Sequence, residues 1–167
     1  MILPMASKPQ KNKGKKSPVM VNKKAYRNFE FVDNFEAGLS LLGTEVKSLR
    51  EGTADLSGSY ARIDNGQCWL VGASISQYKQ AGNRQHEPAR KRKLLLHKNE
   101  IRKIGTKLDQ RGFTLVPLRL YFNEKGLVKV ELALAKGKRQ FDKRQTITKR
   151  DQKREMDRSM KKYRGKK

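Results

Sequence analysis

The chain has 167 residues, with 40 lysines and arginines against 16 aspartates and glutamates, which gives a formal charge of +24. Its length fits one domain with extensions. The sequence has neither an apolar run long enough to span a membrane nor the apolar core of a secretory signal, so we expect a cytoplasmic protein with no membrane partner. Cys68 is the only cysteine, which excludes an internal disulfide or multi-cysteine metal site, and the charge favours a polyanionic partner.

The first 24 residues are predicted to be a disordered basic extension. They contain seven lysines, no acidic residue and three of the five prolines. Such a segment offers little apolar surface to bury, so it does not offset the entropy of ordering its backbone.

Strand and turn patterns begin after the extension. Residues 28–32 and 35–42 read as strand segments, and Thr44 is expected to cap a short helix that ends before Gly52. Residues 60–63 and 67–71 form a predicted hairpin around Asn65-Gly66, a pair that tolerates the positive φ angles of a tight turn.

A longer helix and a second hairpin complete the middle of the chain. The helix begins near His97, with Glu100 three residues later, and closes at Gly112. Residues 114–122 and 127–135 pair, and Pro117 predicts a sheet edge or a bulge. About six strands and two clearly marked helices therefore predict a mainly β fold, a small antiparallel barrel with two or three peripheral helices.

The residue inventory disfavours an enzyme. Only two histidines exist; His97 is assigned to a helix start and His86 to a structural hydrogen bond rather than to a catalytic base. The sequence has no phosphate-binding glycine loop and no cluster of metal-ligating side chains, so we expect no cofactor.

Four consecutive cations, residues 90–93, immediately precede three leucines. Adjacent like charges repel unless an anion neutralises them, and a phosphate backbone does so. We therefore predict that Arg90, Arg92 and Lys93 bind RNA, the alternative being a solvated loop beside a core strand. The patch is extended by Lys47, Arg50 and Lys129.

The C-terminal tail is the most basic segment. Residues 136–167 hold 15 basic and four acidic residues, and Met156, Met160 and Tyr163 are spaced as one narrow helical stripe. We predict that the tail is disordered when free and helical against RNA. The alternatives are a permanently solvated tail and a helix on a membrane surface, but the stripe lacks the Trp, Leu and Phe of the latter.

An ordered series of segments resembles the SsrA-binding proteins, also called small protein B. The segments are residues 35–38 (FEAG), 43–50 (GTEVKSLR), 92–98 (RKLLLHK), 135–138 (AKGK) and 142–144 (DKR). The resemblance implies an oligonucleotide-binding (OB)-like barrel over residues 25–136 and a functional tail over residues 137–167. It also implies a monomeric trans-translation factor that binds the tRNA-like elbow of transfer-messenger RNA (tmRNA) and brings it to stalled ribosomes.

The resemblance also assigns residues. Glu36, Leu95 and Lys129 are the expected RNA contacts: an acceptor for base or ribose donors, an apolar surface for an unstacked base, and a phosphate partner. The tail would enter the empty message channel near the decoding centre, through Gly137, Lys138, Phe141, Asp142, Lys143, Arg144, Met156 and Met160. Two other classes stay open: a constitutive ribosomal protein bound to ribosomal RNA, and an RNA-modifying enzyme.

Overall fold

The computed structural model describes residues 18–83 and 85–138, together with residues 152, 155, 156 and 160 of the tail. Within these residues nine strands and three helices precede the tail. In chain order they are β1 (Met20–Val21), α1 (Lys23–Asn28), β2 (Phe29–Leu39), α2 (Gly43–Arg50), β3 (Ala54–Asp55), β4 (Tyr60–Asp64), β5 (Gln67–Val71), β6 (Ser74–Ile75), β7 (Arg92–Leu95), α3 (Lys98–Leu108), β8 (Phe113–Phe122) and β9 (Val128–Gly137).

Six strands form a closed antiparallel ring in the order β8-β4-β5-β7-β2-β9, and the β8–β9 pair closes it. β1 pairs with β8 at Arg119 and Leu120, while β3 and β6 form a separate two-stranded sheet. Alternating side chains fill the interior, including Leu70, Leu94, Leu115 and Leu132, each at most 1% exposed. The predicted small β barrel with two or three peripheral helices is confirmed.

Several local predictions are confirmed. Asn65 and Gly66 both have positive φ, 49° and 69°, in the turn between β4 and β5. Pro117 lies beside a register shift between β8 and β9, which is the predicted bulge, although β8 is not an edge strand. α3 follows His97, whose backbone N–H donates to Glu100 Oε2 at 2.9 Å.

Two predictions about the first half of the barrel are wrong. Residues 29–39 form one strand that bends at a register shift between Phe31 and Asp33, not two segments. Thr44 does not cap α2: the helix starts at Gly43, and Glu45 Oε2 accepts the Leu42 N–H at 2.7 Å. Thr44 Oγ1 instead lies 2.9 Å from His86 Nδ1.

The predicted disordered extension is too long at its C-terminal end. Met20 pairs with Leu120, and α1 begins at Lys23. α1 covers a second apolar cluster on the outside of the barrel, where Ala25 joins Val116, Leu118, Ala133 and Ala135. Pattern reasoning missed α1 because the helix has six residues and one buried side chain.

Asn22 fixes α1 to the barrel. The residue is only 3% exposed. Its side-chain oxygen accepts the Ala25 N–H at 3.1 Å, and its amide nitrogen donates to the carbonyls of Leu56 at 2.9 Å and Pro117 at 3.0 Å. One amide therefore caps a helix and satisfies two distant backbone carbonyls.

Replacing Asn22 with alanine is expected to lower the free energy of unfolding by about 2 kcal/mol, because it removes the cap and leaves two buried carbonyls without a donor. Urea denaturation followed by circular dichroism measures the change. Asn99→Ala, at an exposed position of α3, is the matched control and should change stability by less than about 0.5 kcal/mol. Equal effects of the two variants would contradict the role given to Asn22.

Candidate nucleic-acid interface

Three neighbouring strands converge at Gly38. In the register of the barrel, Gly38 of β2 pairs with Leu95 of β7 on one side and with Lys129 of β9 on the other. Glu36 lies two residues before Gly38 on the same outer face, and its Oε1 is 3.0 Å from Lys129 Nζ. The structure therefore brings Glu36, Leu95 and Lys129, predicted from distant parts of the sequence, into one cluster.

Leu95 is an exposed apolar side chain within this cluster. It is 54% exposed, whereas its neighbour Leu94 is 1% exposed and points into the barrel. A β carbon added to Gly38 would lie 3.3 Å from Leu95 Cβ, so glycine leaves room for the leucine against the strand. Gly38 is the last residue of the FEAG segment, but sequence reasoning did not assign it this role.

Tyr121 extends the cluster onto β8. Its hydroxyl donates to Glu36 Oε2, and the Arg119 guanidinium lies 5.2 Å from the centre of its ring. Arg119 also forms an ion pair with Glu131. Sequence reasoning missed Arg119 and Tyr121, although they flank the buried Leu120, and this alternation marks an outward-facing pair.

The electrostatics of the cluster keep Glu36 ionised. The hydrogen bond from Tyr121, followed by that from Lys129, lowers the pKa of Glu36 below its ordinary value. Burial, together with the carboxylate, raises the pKa of Tyr121 to about 12. At neutral pH Glu36 is thus an oriented hydrogen-bond acceptor that base amino groups or ribose hydroxyls can reach, because its side chain is 53% exposed.

The predicted phosphate contact at Arg92 is wrong. Arg92 is 0% exposed; it donates to Glu45 Oε1 at 2.8 Å and to the carbonyls of Ala73 and Pro88, each at 2.7 Å. Burial lowers the pKa of Arg92, while the charge of Glu45 opposes that shift. Strand alternation turns residues 92 and 94 inward, so Arg92 belongs to the interior.

Arg90 is also held by a buried partner. It binds the same carboxylate through Nε at 2.8 Å, and 28% of its side chain is exposed. Glu45 is fully buried between the two guanidiniums. Burial alone would raise the pKa of Glu45, but the hydrogen bonds from Arg90 and the Leu42 N–H and the charge of Arg92 outweigh it, so the pKa lies below its ordinary value. Of the four-cation run, Lys91 and Lys93 therefore remain as the cations directed to the surface.

Lys47 and Arg50 form a separate basic surface. Both are exposed on α2, which packs near β6 rather than on β2 or β9. Lys47 Nζ lies 5.2 Å over the ring of Tyr78. Their predicted role in RNA binding stays a prediction.

The tail residues are partly described. Gly137 closes β9 opposite Phe29, and the Lys138 N–H donates to the Asn28 carbonyl at 2.9 Å. Met156 and Met160 are helical and 61% and 64% exposed, respectively. Phe141, Asp142, Lys143 and Arg144 lie outside the described residues, as does Tyr163.

The single cysteine and one of the two histidines are buried. His86 is 3% exposed, and its ring nitrogens contact Thr44 Oγ1 and the Ile75 carbonyl, which confirms the predicted structural hydrogen bond. Burial raises the pKa of Cys68 to about 11, which suppresses the reactive thiolate.

In the part of the chain that the structure describes, no group of three or more acidic, His or Cys side chains could hold a metal ion, and no helix has the length and apolarity to cross a bilayer.

Comparison with known proteins gives one consistent result. The family model described as SmpB protein matches residues 19–162. Among curated relatives, the SsrA-binding protein of Syntrophobacter fumaroxidans is 54% identical over 86% of this chain and 88% of its own length. That of Desulforamulus reducens is 47% identical over 93% of this chain and 96% of its own length.

A solved structure agrees with the sequence comparisons. It is described as "tmRNA-SmpB: a journey to the center of the bacterial ribosome", and its matching chain is 46% identical to this one. The match covers 78% of this chain and 94% of that chain, with a TM-score of 0.64. At this identity the likeness extends beyond the shape of the barrel to its sequence.

Proposed function

Because the chain belongs to the SmpB family of SsrA-binding proteins, we propose that it is an RNA-binding adaptor of trans-translation, which binds tmRNA and delivers it to stalled ribosomes. The observation that carries the proposal at the level of residues is the convergence of Glu36, Leu95 and Lys129 around Gly38. This combination of acceptor, apolar surface and cation suits a folded RNA, which is recognised by shape, ribose hydroxyls and unstacked bases.

Each member of the cluster has a physical role toward the tRNA-like elbow. Glu36 accepts hydrogen bonds from base or ribose donors, and Tyr121 orients its carboxylate. Leu95 packs on an exposed base face. Lys129 neutralises a phosphate, assisted by Lys93 on β7, which is separated from β9 by β2.

The C-terminal tail has a different role in the proposal. It enters the empty message channel and the decoding centre, where it replaces the missing codon–anticodon contact. Gly137 and Lys138 attach it to the end of β9, beside α1. Phe141, Asp142, Lys143 and Arg144 make the first contacts, and Met156 and Met160 present an apolar face four residues apart on a helix. In this proposal the tail becomes fully ordered only when it binds, although residues 152, 155, 156 and 160 are already helical in the free chain.

The protein acts as a binding factor and not as a catalyst in this proposal. The burial of His86 and Cys68 is consistent with that role. We further infer that it works as a cytoplasmic monomer, because a barrel with one outward RNA-binding cluster is sufficient to hold one folded RNA.

The proposal is tested by the RNA that copurifies with the protein. The protein is purified from its host at moderate salt, and its bound RNA is sequenced. We expect strong enrichment of tmRNA over its abundance in the lysate. Stoichiometric ribosomal RNA that resists a salt wash would support the ribosomal-protein alternative, and a covalent change in the bound RNA would support an enzyme.

Replacing Leu95 with alanine is expected to weaken tmRNA binding about five-fold or more, because the variant loses apolar area that packs on a base. Its unfolding free energy should change by less than about 0.5 kcal/mol, since the side chain is exposed. Filter binding and thermal melting measure the two quantities. Leu127→Ala, at another exposed leucine, is the control, and equal losses of affinity in both variants would contradict the assigned position of the contact.

A further inference from the structure

Trp69, the only tryptophan of the chain, stands on the outer face of the barrel. Its neighbours on β5, Cys68 and Leu70, are at most 1% exposed and face the interior. Trp69 pairs with Arg62 of β4 on one side and with Lys93 of β7 on the other. A large aromatic ring is thus placed between two cations on a partly exposed surface.

A groove of about 290 Å³ opens beside this ring. Its walls are formed by Arg62, Asp64, Asn65, Gln67, Trp69 and Lys91. This volume is at the low end of the roughly 300–1,000 Å³ of small-molecule sites, so it suits a single planar group. Amide side chains at positions 65 and 67 offer both donors and acceptors, and Asp64 partly neutralises Arg62 at 3.6 Å.

The groove is continuous with the cluster at Gly38. Trp69 lies opposite Lys93, and Leu95 is the next outward residue on the same strand. Such diagonal neighbours in an antiparallel pair are about 7–8 Å apart. An RNA strand that contacts Leu95 can therefore continue across β7 to the groove without leaving the surface.

We propose that Trp69 is the stacking platform of a second RNA subsite, which holds one unstacked base of single-stranded RNA. Arg62 and Lys91 neutralise the flanking phosphates, and the two amides contact the base edge. An aromatic face beside cations is the combination that binds single strands without sequence preference. A base within a duplex is excluded, because its faces are covered by its neighbours. The inference rests on the proposed function only in expecting this RNA to belong to the same transcript.

The intrinsic fluorescence of the full chain tests the subsite directly, because all tryptophan emission comes from position 69. The probes are a uridine decamer, a fully paired RNA duplex and inorganic polyphosphate. We expect saturable quenching by the decamer and little change with the other two. Absence of quenching by the decamer, or equal quenching by polyphosphate, would overturn the proposal.

Variants supply a second readout by the anisotropy of a labelled decamer. Trp69→Leu should weaken binding about 5- to 150-fold, whereas Trp69→Phe keeps a ring and most of the affinity. Tyr60→Leu, at an exposed aromatic position on β4 outside this groove, is the matched control and should change affinity less than two-fold. Circular dichroism of each variant verifies folding, and a folded Trp69→Leu protein with full affinity would overturn the proposal.

The same measurement separates this inference from the proposed function. Glu36→Gln should weaken tmRNA binding but leave decamer quenching of Trp69 unchanged. Quenching by the decamer in a protein that fails to bind tmRNA would refute the proposed function and keep the subsite. Normal tmRNA binding without any quenching by the decamer would refute the subsite and keep the proposed function.

Discussion

Replacing Glu45 with alanine is expected to lower the free energy of unfolding by about 3–5 kcal/mol, a large part of the stability of a small domain. The carboxylate is fully buried between Arg90 and Arg92, and Arg92 has no exposed surface. Removing the anion leaves a buried guanidinium without a counter-charge. Urea denaturation at neutral pH measures the loss.

Two comparisons make this prediction specific. Glu36→Ala removes an exposed carboxylate that also has a cationic partner, and its effect on stability should stay below about 1 kcal/mol. The double variant Glu45→Met with Arg92→Met should be more stable than Glu45→Met alone, because it leaves no unpaired charge at position 92. A Glu45→Ala protein as stable as the Glu36→Ala protein would refute the buried-pair account.

The same carboxylate predicts the response to acid. The hydrogen bonds and charge of the arginines outweigh burial and hold the pKa of Glu45 below its ordinary 4.5. A group with a lowered pKa in the folded state contributes stability above its unfolded pKa, and this contribution is lost as the pH falls through the folded value. Acid destabilisation below about pH 4.5 should therefore be smaller in the Glu45→Met, Arg92→Met double variant.

Local sequence patterns predicted the elements whose cause is local. The Asn65-Gly66 turn, the start of α3 and the bulge at Pro117 each depend on the conformational limits of one or two residues. α1 depends on contacts over long separations: the Asn22 amide reaches carbonyls 34 and 95 residues away. No window of the sequence contains that information, which explains why the helix was missed.

In the candidate site, too, local features were predictable and long-range contacts were not. Arg90, Arg92 and Lys93 are equivalent as charges in a linear sequence, and the partner that distinguishes the arginines lies 45–47 residues earlier. One local signal existed: Arg92 shares its strand face with the buried Leu94. Glu36, Leu95 and Lys129 came from the family resemblance, but their convergence follows from the register at Gly38, which only the folded chain provides.

Ending the chain after Lys138 is expected to abolish tagging of stalled products while leaving specific tmRNA affinity within about two-fold. The cluster around Gly38 lies wholly before this point, and the truncation keeps the bond from the Lys138 N–H to Asn28 that secures the end of β9. The removed segment, residues 139–167, carries 13 basic and four acidic residues, so it also contributes affinity for any polyanion. Binding must therefore be measured at physiological salt with excess competitor RNA.

A scrambled tail separates charge from sequence in this experiment. It has the same 29 residues after Lys138 in a different order, so its net charge is unchanged. We expect this variant to bind tmRNA as the native chain does and to fail in tagging, because the contacts proposed for the tail in the message channel need Phe141, Asp142, Lys143 and Arg144 in place. Tagging by the scrambled tail would reduce the role of the tail to charge, and equal loss of binding and tagging in the truncated chain would contradict the separation of barrel and tail.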